Sequence, residues 1–242
     1  MAVPPKATIV GSGLAGTLLA CYLGRSGWAV DLYEKRPDPR RQGAEGGRSI
    51  NLALSVRGLH ALEQIGLAKQ VLEDAIAMPG RMIHDRTGHL HFQPYGKDPS
   101  QAIHSVSRNG LNVALIDAAE RLPGVRVFFG HKCTGIDLAT TTLALQDEQG
   151  RALHVPCELA IGADGAFSAV RYQMQKTERF SYSQEYLSHG YKELTIPPGP
   201  GGTHRMEKHA LHIWPRRSYM LIALPNADGS FTCTLFFRST GR

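Results

Sequence analysis

The chain is short of cysteine and of long apolar runs, and each shortage removes a class of protein. Its 242 residues include only four cysteines, Cys21, Cys133, Cys157 and Cys233. Four are too few for a disulfide scaffold, and no Cys-x-x-Cys spacing marks a zinc site, so the thiols are expected to be reduced and mostly buried. No stretch approaches the roughly 18 consecutive apolar residues of a membrane span. Met1-Ala2-Val3-Pro4-Pro5-Lys6 leads straight into a strand-like run, without the charged and then apolar blocks of a secretory leader. A soluble cytoplasmic protein with no membrane segment is the expectation. No internal repeat or low-complexity tract is visible. At 42% hydrophobic, 7% aromatic and 20% charged residues, the composition excludes a disordered or fibrous chain and suffices for a core. Length alone allows one large domain or two small ones.

Charge excludes less. Lys and Arg number 27 against 21 Asp and Glu, a balance of +6, which suits an anionic ligand. No Lys/Arg run of nucleic-acid type exists, so no nucleic-acid partner is expected. The densest basic cluster, Lys35, Arg36, Arg40 and Arg41, follows a predicted strand, where a phosphate-bearing cofactor is the simpler partner. His89-x-His91 and His209-x-x-His212 have no nearby Cys or carboxylate to complete a metal site, and none is expected. A nucleophile elbow is also absent.

What is present has an order. Residues 7–10 form a short β-branched run stopped by Gly11, followed by a helical stretch over residues 14–25 and a second apolar run over 29–33. This is a βαβ start, and the continuous apolar character fits parallel strands buried on both faces. Residues 36–47 read as a loop, 59–77 as two short helices, and 80–95 as two strands turning near Thr87-Gly88. A helix over 112–121, a strand over 125–129, a hairpin from 143 to 155 and a buried strand over 159–162 follow. The last third, with strand-like runs at 210–214, 219–224 and 230–237 between turn clusters, has the pattern of an antiparallel meander. The expected fold class is α/β: a Rossmann-like, doubly wound nucleotide domain with part of an adjoining antiparallel β-sheet.

Gly11-Ser12-Gly13-Leu14-Ala15-Gly16 lies between strand and helix, the context that gives this spacing a mechanism. Gly11 permits the tight turn, Gly13 lets backbone approach a pyrophosphate, and Gly16 brings the helix close to the strand. The helix N-terminus offers N–H groups and partial positive charge to phosphates. Glu34 follows Gly16 by 18 residues at the end of the second strand, where its carboxylate can accept both ribose hydroxyls of an adenosine. That disfavours a 2′-phosphate and leaves FAD and NAD open. Ala163-Asp164-Gly165, a strand ending in Asp-Gly, suits a flavin site but is also an ordinary turn dipeptide.

Longer segments carry a resemblance. Arg48-Ser49-Ile50-Asn51-Leu52-Ala53-Leu54-Ser55, Gly80-Arg81-Met82-Ile83-His84, Gln93-Pro94-Tyr95-Gly96, Ser105-Val106-Ser107-Arg108, His189-Gly190-Tyr191-Lys192-Glu193-Leu194 and Leu211-His212-Ile213-Trp214-Pro215 together closely resemble the kynurenine 3-monooxygenases, a family of class A flavoprotein aromatic hydroxylases. The resemblance runs from Thr8 to about Phe236. It implies an aromatic hydroxylase fold in which residues 1–75 and 104–178 form the FAD-binding domain, 76–103 give substrate-side strands, and 179–242 form an incomplete antiparallel substrate domain.

The resemblance implies bound FAD, NADPH as cosubstrate, and transfer of one atom of O2 to L-kynurenine, giving 3-hydroxykynurenine in the kynurenine pathway of tryptophan catabolism. The flavin carries the chemistry, so no catalytic side chain is expected. Arg81 and Tyr95 match the family positions that hold the substrate's amino-acid carboxylate, a grip that a guanidinium fork and a phenol suit. Ala15 in the glycine turn, Glu34, Lys35, Arg36 and Pro37, Ala53, Arg108, Cys133 and Ala169 match FAD positions, with Leu14, Arg48 and Asp164 as further candidates. Family members continue beyond Arg242 through a Gly-Asp motif, a flavin-ring loop and a helical region. The chain is therefore expected to be a truncated N-terminal portion, needing a complementing chain or a homo-oligomer to cover its apolar sheet, or to remain an inactive fragment or a dinucleotide-binding module.

Overall fold

A computed structural model describes residues 3–41, 51–98 and 100–238. In chain order its elements are β1 (Lys6–Val10), α1 (Leu14–Arg25), β2 (Ala29–Tyr33), β3 (Asn51–Leu54), α2 (Val56–Gln64), α3 (Ala68–Glu73), β4 (Ile76–Met78), β5 (Gly80–His84), β6 (Leu90–Pro94), β7 (Ile103–Ser107) and α4 (Arg108–Glu120). They continue as β8 (Val125–Phe128), β9 (Lys132–Asp137), β10 (Thr142–Gln146), β11 (Ala152–Pro156), β12 (Ala160–Gly162), α5 (Ala169–Met174), β13 (His189–Ile196), β14 (Leu211–Arg216), β15 (Tyr219–Pro225) and β16 (Phe231–Arg238). By contact density the chain divides into two units, residues 1–48 with 109–183 and residues 49–108 with 184–242. Residues 49–75, expected on the nucleotide side, group with the second unit. Among the described residues no helix is long and apolar enough to cross a membrane.

The first unit is built on a parallel sheet in the order β12-β1-β2-β8. Ala7, Ile9, Val10, Val30 and Leu32 are buried, as parallel strands covered on both faces require. Helix α1 turns Gly16, Thr17, Ala20 and Cys21 inward, a stripe of small residues at helical spacing that lets its backbone lie close to the sheet. Asp31, buried on β2, is bracketed by Lys6 at 3.0 Å and by two nitrogens of Arg126 at 2.7 and 2.9 Å, from the strands on either side. Burial pushes its carboxyl up, but these two cations hold it below the ordinary aspartate range. An antiparallel sheet β11-β10-β9 supplies Ile136, Leu143 and Leu145 to a core shared with Val10, Tyr33 and Val170.

The second unit holds a six-stranded sheet in the order β13-β16-β15-β14-β5-β6 and a small antiparallel sheet β3-β7-β4. The expected meander is present as β14, β15 and β16, and β5 joins β14 in parallel, making the sheet mixed. One face packs His212, Ala223 and Cys233 with Phe231 in a core. Within it His84 Nε2 lies 2.8 Å from His212 Nδ1, and His212 Nε2 lies 2.7 Å from the Glu207 carbonyl. A carbonyl only accepts, so His212 carries its proton on Nε2 and accepts from His84 Nε2–H. Burial lowers both imidazole pKa values, keeping the pair neutral.

Several boundaries differ from the pattern reading. Residues 76–78 form strand β4 where a helix was expected to run to 77, and α4 begins at Arg108, four residues before the expected start. Strands β3, β7, β9 and β13 and helix α5 were not anticipated. Strand β13 lies at the sheet edge with Tyr191 and Leu194 exposed, so no alternation of buried and exposed residues announces it.

Candidate functional site

In the first unit the site begins where β1 ends. Gly11 takes a φ of +101°, closed to most side chains, and its N–H donates to the Tyr33 carbonyl at 2.7 Å. A Cβ there would lie 2.6 Å from the Ala163 carbonyl oxygen, because the Ala163 N–H is bonded to the Val10 carbonyl beside the turn. Gly16 is constrained from the other side, since a Cβ would collide with the Gly11 carbonyl oxygen. Gly13 faces open space, with nothing within 4 Å of a Cβ position, and caps α1 without a side-chain hydrogen bond. The first-turn N–H groups, which include those of Leu14 and Ala15, have no intrahelical acceptor. The turn lies at the carboxyl ends of β1 and β12, where the strand order reverses, the position at which doubly wound sheets bind ligands.

Glu34 reaches this turn from the end of β2. One carboxylate oxygen accepts from the Ser12 N–H at 2.9 Å and the Ser12 hydroxyl at 3.3 Å; the other accepts from Arg36 N–H at 3.0 Å and Arg36 Nε at 2.8 Å. Burial raises its pKa and the Arg36 and Ser12 hydrogen bonds outweigh that, so the group lies below the ordinary glutamate range and is anionic at neutral pH. All four acceptor positions are occupied. Ribose hydroxyls can therefore use this carboxylate only by displacing the long Ser12 hydroxyl contact and the exposed Arg36 side chain.

The rest of the basic cluster is arranged differently from the expectation. Arg40 bonds Asp38, Asp117 and Glu120 at 2.6 to 2.9 Å, and Arg41 lies 4.0 Å from Asp38. These two guanidiniums are matched by carboxylates within their own unit. Lys35, Arg36 and Pro37 are exposed just past Glu34.

Asp164 is near the glycine turn, but its carboxylate faces away into α5. It accepts from the Ser168 hydroxyl at 2.6 Å and from the Ala169 N–H at 2.7 Å, a negative charge at a helix start. Ser168 in turn accepts from the Arg171 N–H at 2.9 Å. Helix α5 packs on β9, which carries Cys133, so Ala169 and Cys133 share this neighbourhood. The Cys133 thiol donates to the Gly135 carbonyl, and burial pushes its pKa up. Ser12 and Ser168 were missed in the sequence; the only local signal was Ser168 three residues before a main-chain N–H that it could cap.

The remaining candidates belong to the second unit, apart from Arg48, which lies outside the described residues. Ala53 is exposed on β3, paired with Ser105, and Arg108 is exposed at the first position of α4. Arg81 and Tyr95 are brought together: Arg81 Cζ stands 5.2 Å from the centre of the Tyr95 ring. The Tyr95 N–H is held by the Pro79 carbonyl at 2.9 Å, which fixes the residue beside β5. Arg81 Nε is buried without a hydrogen-bond partner. Burial raises the Tyr95 phenol pKa, partly offset by Arg81, so the hydroxyl stays a neutral donor.

Register also reveals residues that the sequence reading missed. Arg81 pairs with Leu211, Ile83 with Ile213, and Ile213 with Ile222, so these apolar side chains share Arg81's face of the sheet, opposite the histidine pair. A buried, unpartnered guanidinium nitrogen at the margin of an apolar face suits a planar molecule with an anionic end.

The model of the family described as FAD binding domain matches residues 5–208. The chain belongs to this FAD-binding domain family. FAD is the cofactor that membership carries, and the uncapped α1 terminus, open Gly13 and anionic Glu34 fit a dinucleotide. Among curated relatives, the kynurenine 3-monooxygenase of Myxococcus xanthus (strain DK1622) is 54% identical over 230 residues, 95% of this chain and 50% of that protein. The Dictyostelium discoideum kynurenine 3-monooxygenase is 49% identical over 234 residues, 97% of this chain and 50% of that protein. The chain thus spans about half the length of the curated relatives it matches. A solved 2-methyl-3-hydroxypyridine-5-carboxylic acid oxygenase superposes with a TM-score of 0.75 at 22% identity, over 98% of this chain and 60% of that one. A flavoprotein/dehydrogenase of Cytophaga hutchinsonii gives 0.75 at 18% identity, over 98% and 56%. These two establish the fold of this FAD-binding domain protein.

Proposed function

We propose that the chain is the FAD- and substrate-gripping portion of a flavin-dependent monooxygenase that hydroxylates L-kynurenine with NADPH and O2. The carrying observation is Arg81, whose Nε is buried and unpartnered beside the Tyr95 ring, at the edge of the apolar face of Leu211, Ile213 and Ile222. Similarity to kynurenine 3-monooxygenases over nearly the whole chain supports the choice of substrate.

Bound FAD would supply the redox chemistry, passing reducing equivalents from NADPH to O2 so that one oxygen atom reaches the aromatic ring. The chain's own residues bind, orient and exclude water. The α1 N-terminus and Gly13 backbone would hold the pyrophosphate, and Glu34 would accept from the adenosine ribose in place of Arg36 and the Ser12 hydroxyl. Arg81 and the Tyr95 hydroxyl hold the substrate carboxylate, a charge-assisted contact of about 1.5–3 kcal/mol. The apolar face beside them desolvates the aromatic ring. Lys35, Pro37, Cys133 and Ala169 of the first unit are proposed as flavin neighbours, Ala53 and Arg108 remain FAD-binding candidates within the second, and Asp164 acts indirectly, by capping α5.

The test is reconstitution of the purified 242-residue chain with FAD. Retained flavin absorbance and a kynurenine-induced change in the flavin spectrum are the expected results. A yellow protein whose flavin spectrum kynurenine leaves unchanged would reduce the reading to dinucleotide binding. Turnover restored only by a second chain would point to a half-enzyme, and sedimentation would report a homo-oligomer.

A further inference from the structure

We infer that the β14–β15 hairpin of the second unit carries a second anion site, built for the phosphate group of a phosphate ester or of free phosphate. Arg86, Arg216, Arg217, Ser218 and Tyr219 line one cavity of about 420 Å³, and an adjoining cavity shares Arg216 to Tyr219 and adds His189. Strands β5 and β14 run in parallel with Ile83 opposite Ile213, so Arg86, two residues past the end of β5, comes level with Arg216 at the end of β14. Arg81 lies five residues back along β5, roughly 17 Å away for extended chain. The hairpin site is therefore distinct from the carboxylate grip.

Two features make this cluster more than a solvated patch. Arg216 is fixed by backbone: one terminal nitrogen donates to the His84 carbonyl at 3.0 Å and the Pro215 carbonyl at 2.8 Å, the other to the Asp85 carbonyl at 3.1 Å. A guanidinium held by neutral carbonyls keeps its full charge, already oriented. Counter-charge is also lacking. Among the described residues no carboxylate stands within 4.0 Å of Arg86, Arg216 or Arg217; Arg57, Arg108 and Arg205 also lack one, and what sets the three apart is that they line one cavity. The nearby Asp85 carboxylate is turned into its own loop, accepting from the Thr87 and His89 N–H groups and the Thr87 hydroxyl. Three like charges around one cavity repel, and a dianion relieves that repulsion while offering oxygens to fork-shaped donors. Ser218 adds a hydroxyl donor, and Tyr219, half exposed at the rim, offers a ring face to a base.

The experiment is calorimetric titration of the full 242-residue chain with inorganic phosphate at low ionic strength, then with adenosine 2′-monophosphate. Saturable phosphate binding is expected, weakened at least tenfold by Arg217→Glu and by Arg86→Glu and less than twofold by Arg57→Glu on α2, with circular dichroism unchanged throughout. Arg217→Lys, which keeps charge and loses the fork, should fall between. Repeating the titration in a Gly13→Asp background, which puts a carboxylate at the glycine turn and removes that phosphate site, should retain the binding lost in Arg217→Glu. Tighter binding of the nucleotide that Tyr219→Ala removes would identify a phosphate ester as the natural source, and equal binding would identify free phosphate; both support the site. No saturable binding, equal losses in all three charge reversals, or sensitivity to Gly13→Asp alone would overturn it.

Discussion

Replacing Glu34 by Gln tests whether one buried carboxylate joins the glycine turn to the second strand. The native group accepts from Ser12 on one oxygen and Arg36 on the other, and is 5% exposed. A glutamine offers one acceptor oxygen, so its amide nitrogen must face donors on one side. With the oxygen toward Ser12, a charge-assisted bond becomes neutral and the buried side loses about 1–2 kcal/mol. Arg36, whose side chain is 64% exposed, then swings into water at a further cost of about 0–1 kcal/mol. The expected destabilisation is about 2 kcal/mol at pH 7, read by urea unfolding followed by circular dichroism. Its pH dependence has a definite sign. The folded pKa lies below the unfolded value of about 4.3, so the native group's contribution is complete above that pH and disappears as pH falls through the folded pKa. The two proteins should differ most above pH 5 and converge in acid. FAD affinity should fall roughly tenfold, equivalent to about 1.4 kcal/mol. A stability difference under about 0.5 kcal/mol, unchanged between pH 7 and pH 3, would refute the assignment.

Gly16→Ala should cost about 1–3 kcal/mol and lower Tm by several degrees, because its Cβ meets a main-chain oxygen that cannot move aside. Gly13→Ala, pointing into open space, should leave Tm within a degree or two and weaken FAD instead; equal melting of the two variants would contradict the packing difference. Arg81→Lys should weaken kynurenine about 10- to 100-fold by equilibrium dialysis, with Tyr95→Phe losing less, from loss of one fork and one hydroxyl; a change under twofold in Arg81→Lys would remove that residue from the carboxylate grip. Cys21, buried and with its thiol pushed up to about 11, should resist iodoacetamide at pH 8 while Cys157 labels in the native state, and mass spectrometry showing the reverse order would exclude the burial described.

The opening strand, helix and strand were legible because their determinants are local. A β-branched run stopped by Gly11, small residues on one helical face and Gly27 after α1 act within a few residues of one another. Glu34 was legible as the acidic partner of the turn for the same reason, since the length of α1 and β2 returns it there. Long segments carried the family resemblance, and with it Arg81 and Tyr95, which no periodicity would have singled out. Strand β13 was not legible because an exposed edge imposes no apolar alternation on its sequence.

The amino-acid sequence by itself determined the βαβ start, the glycine turn with its acidic partner and the late meander, since turn chemistry and hydrophobic period are written residue by residue. Tertiary structure alone decided that Ala163 stands behind Gly11, that Arg40 is matched by Asp117 and Glu120, and that β5 joins β14 so that three arginines without counter-charge meet. Those pairings link segments tens to more than a hundred residues apart, and no local pattern specifies which strand ends will lie side by side once loops close and faces are buried.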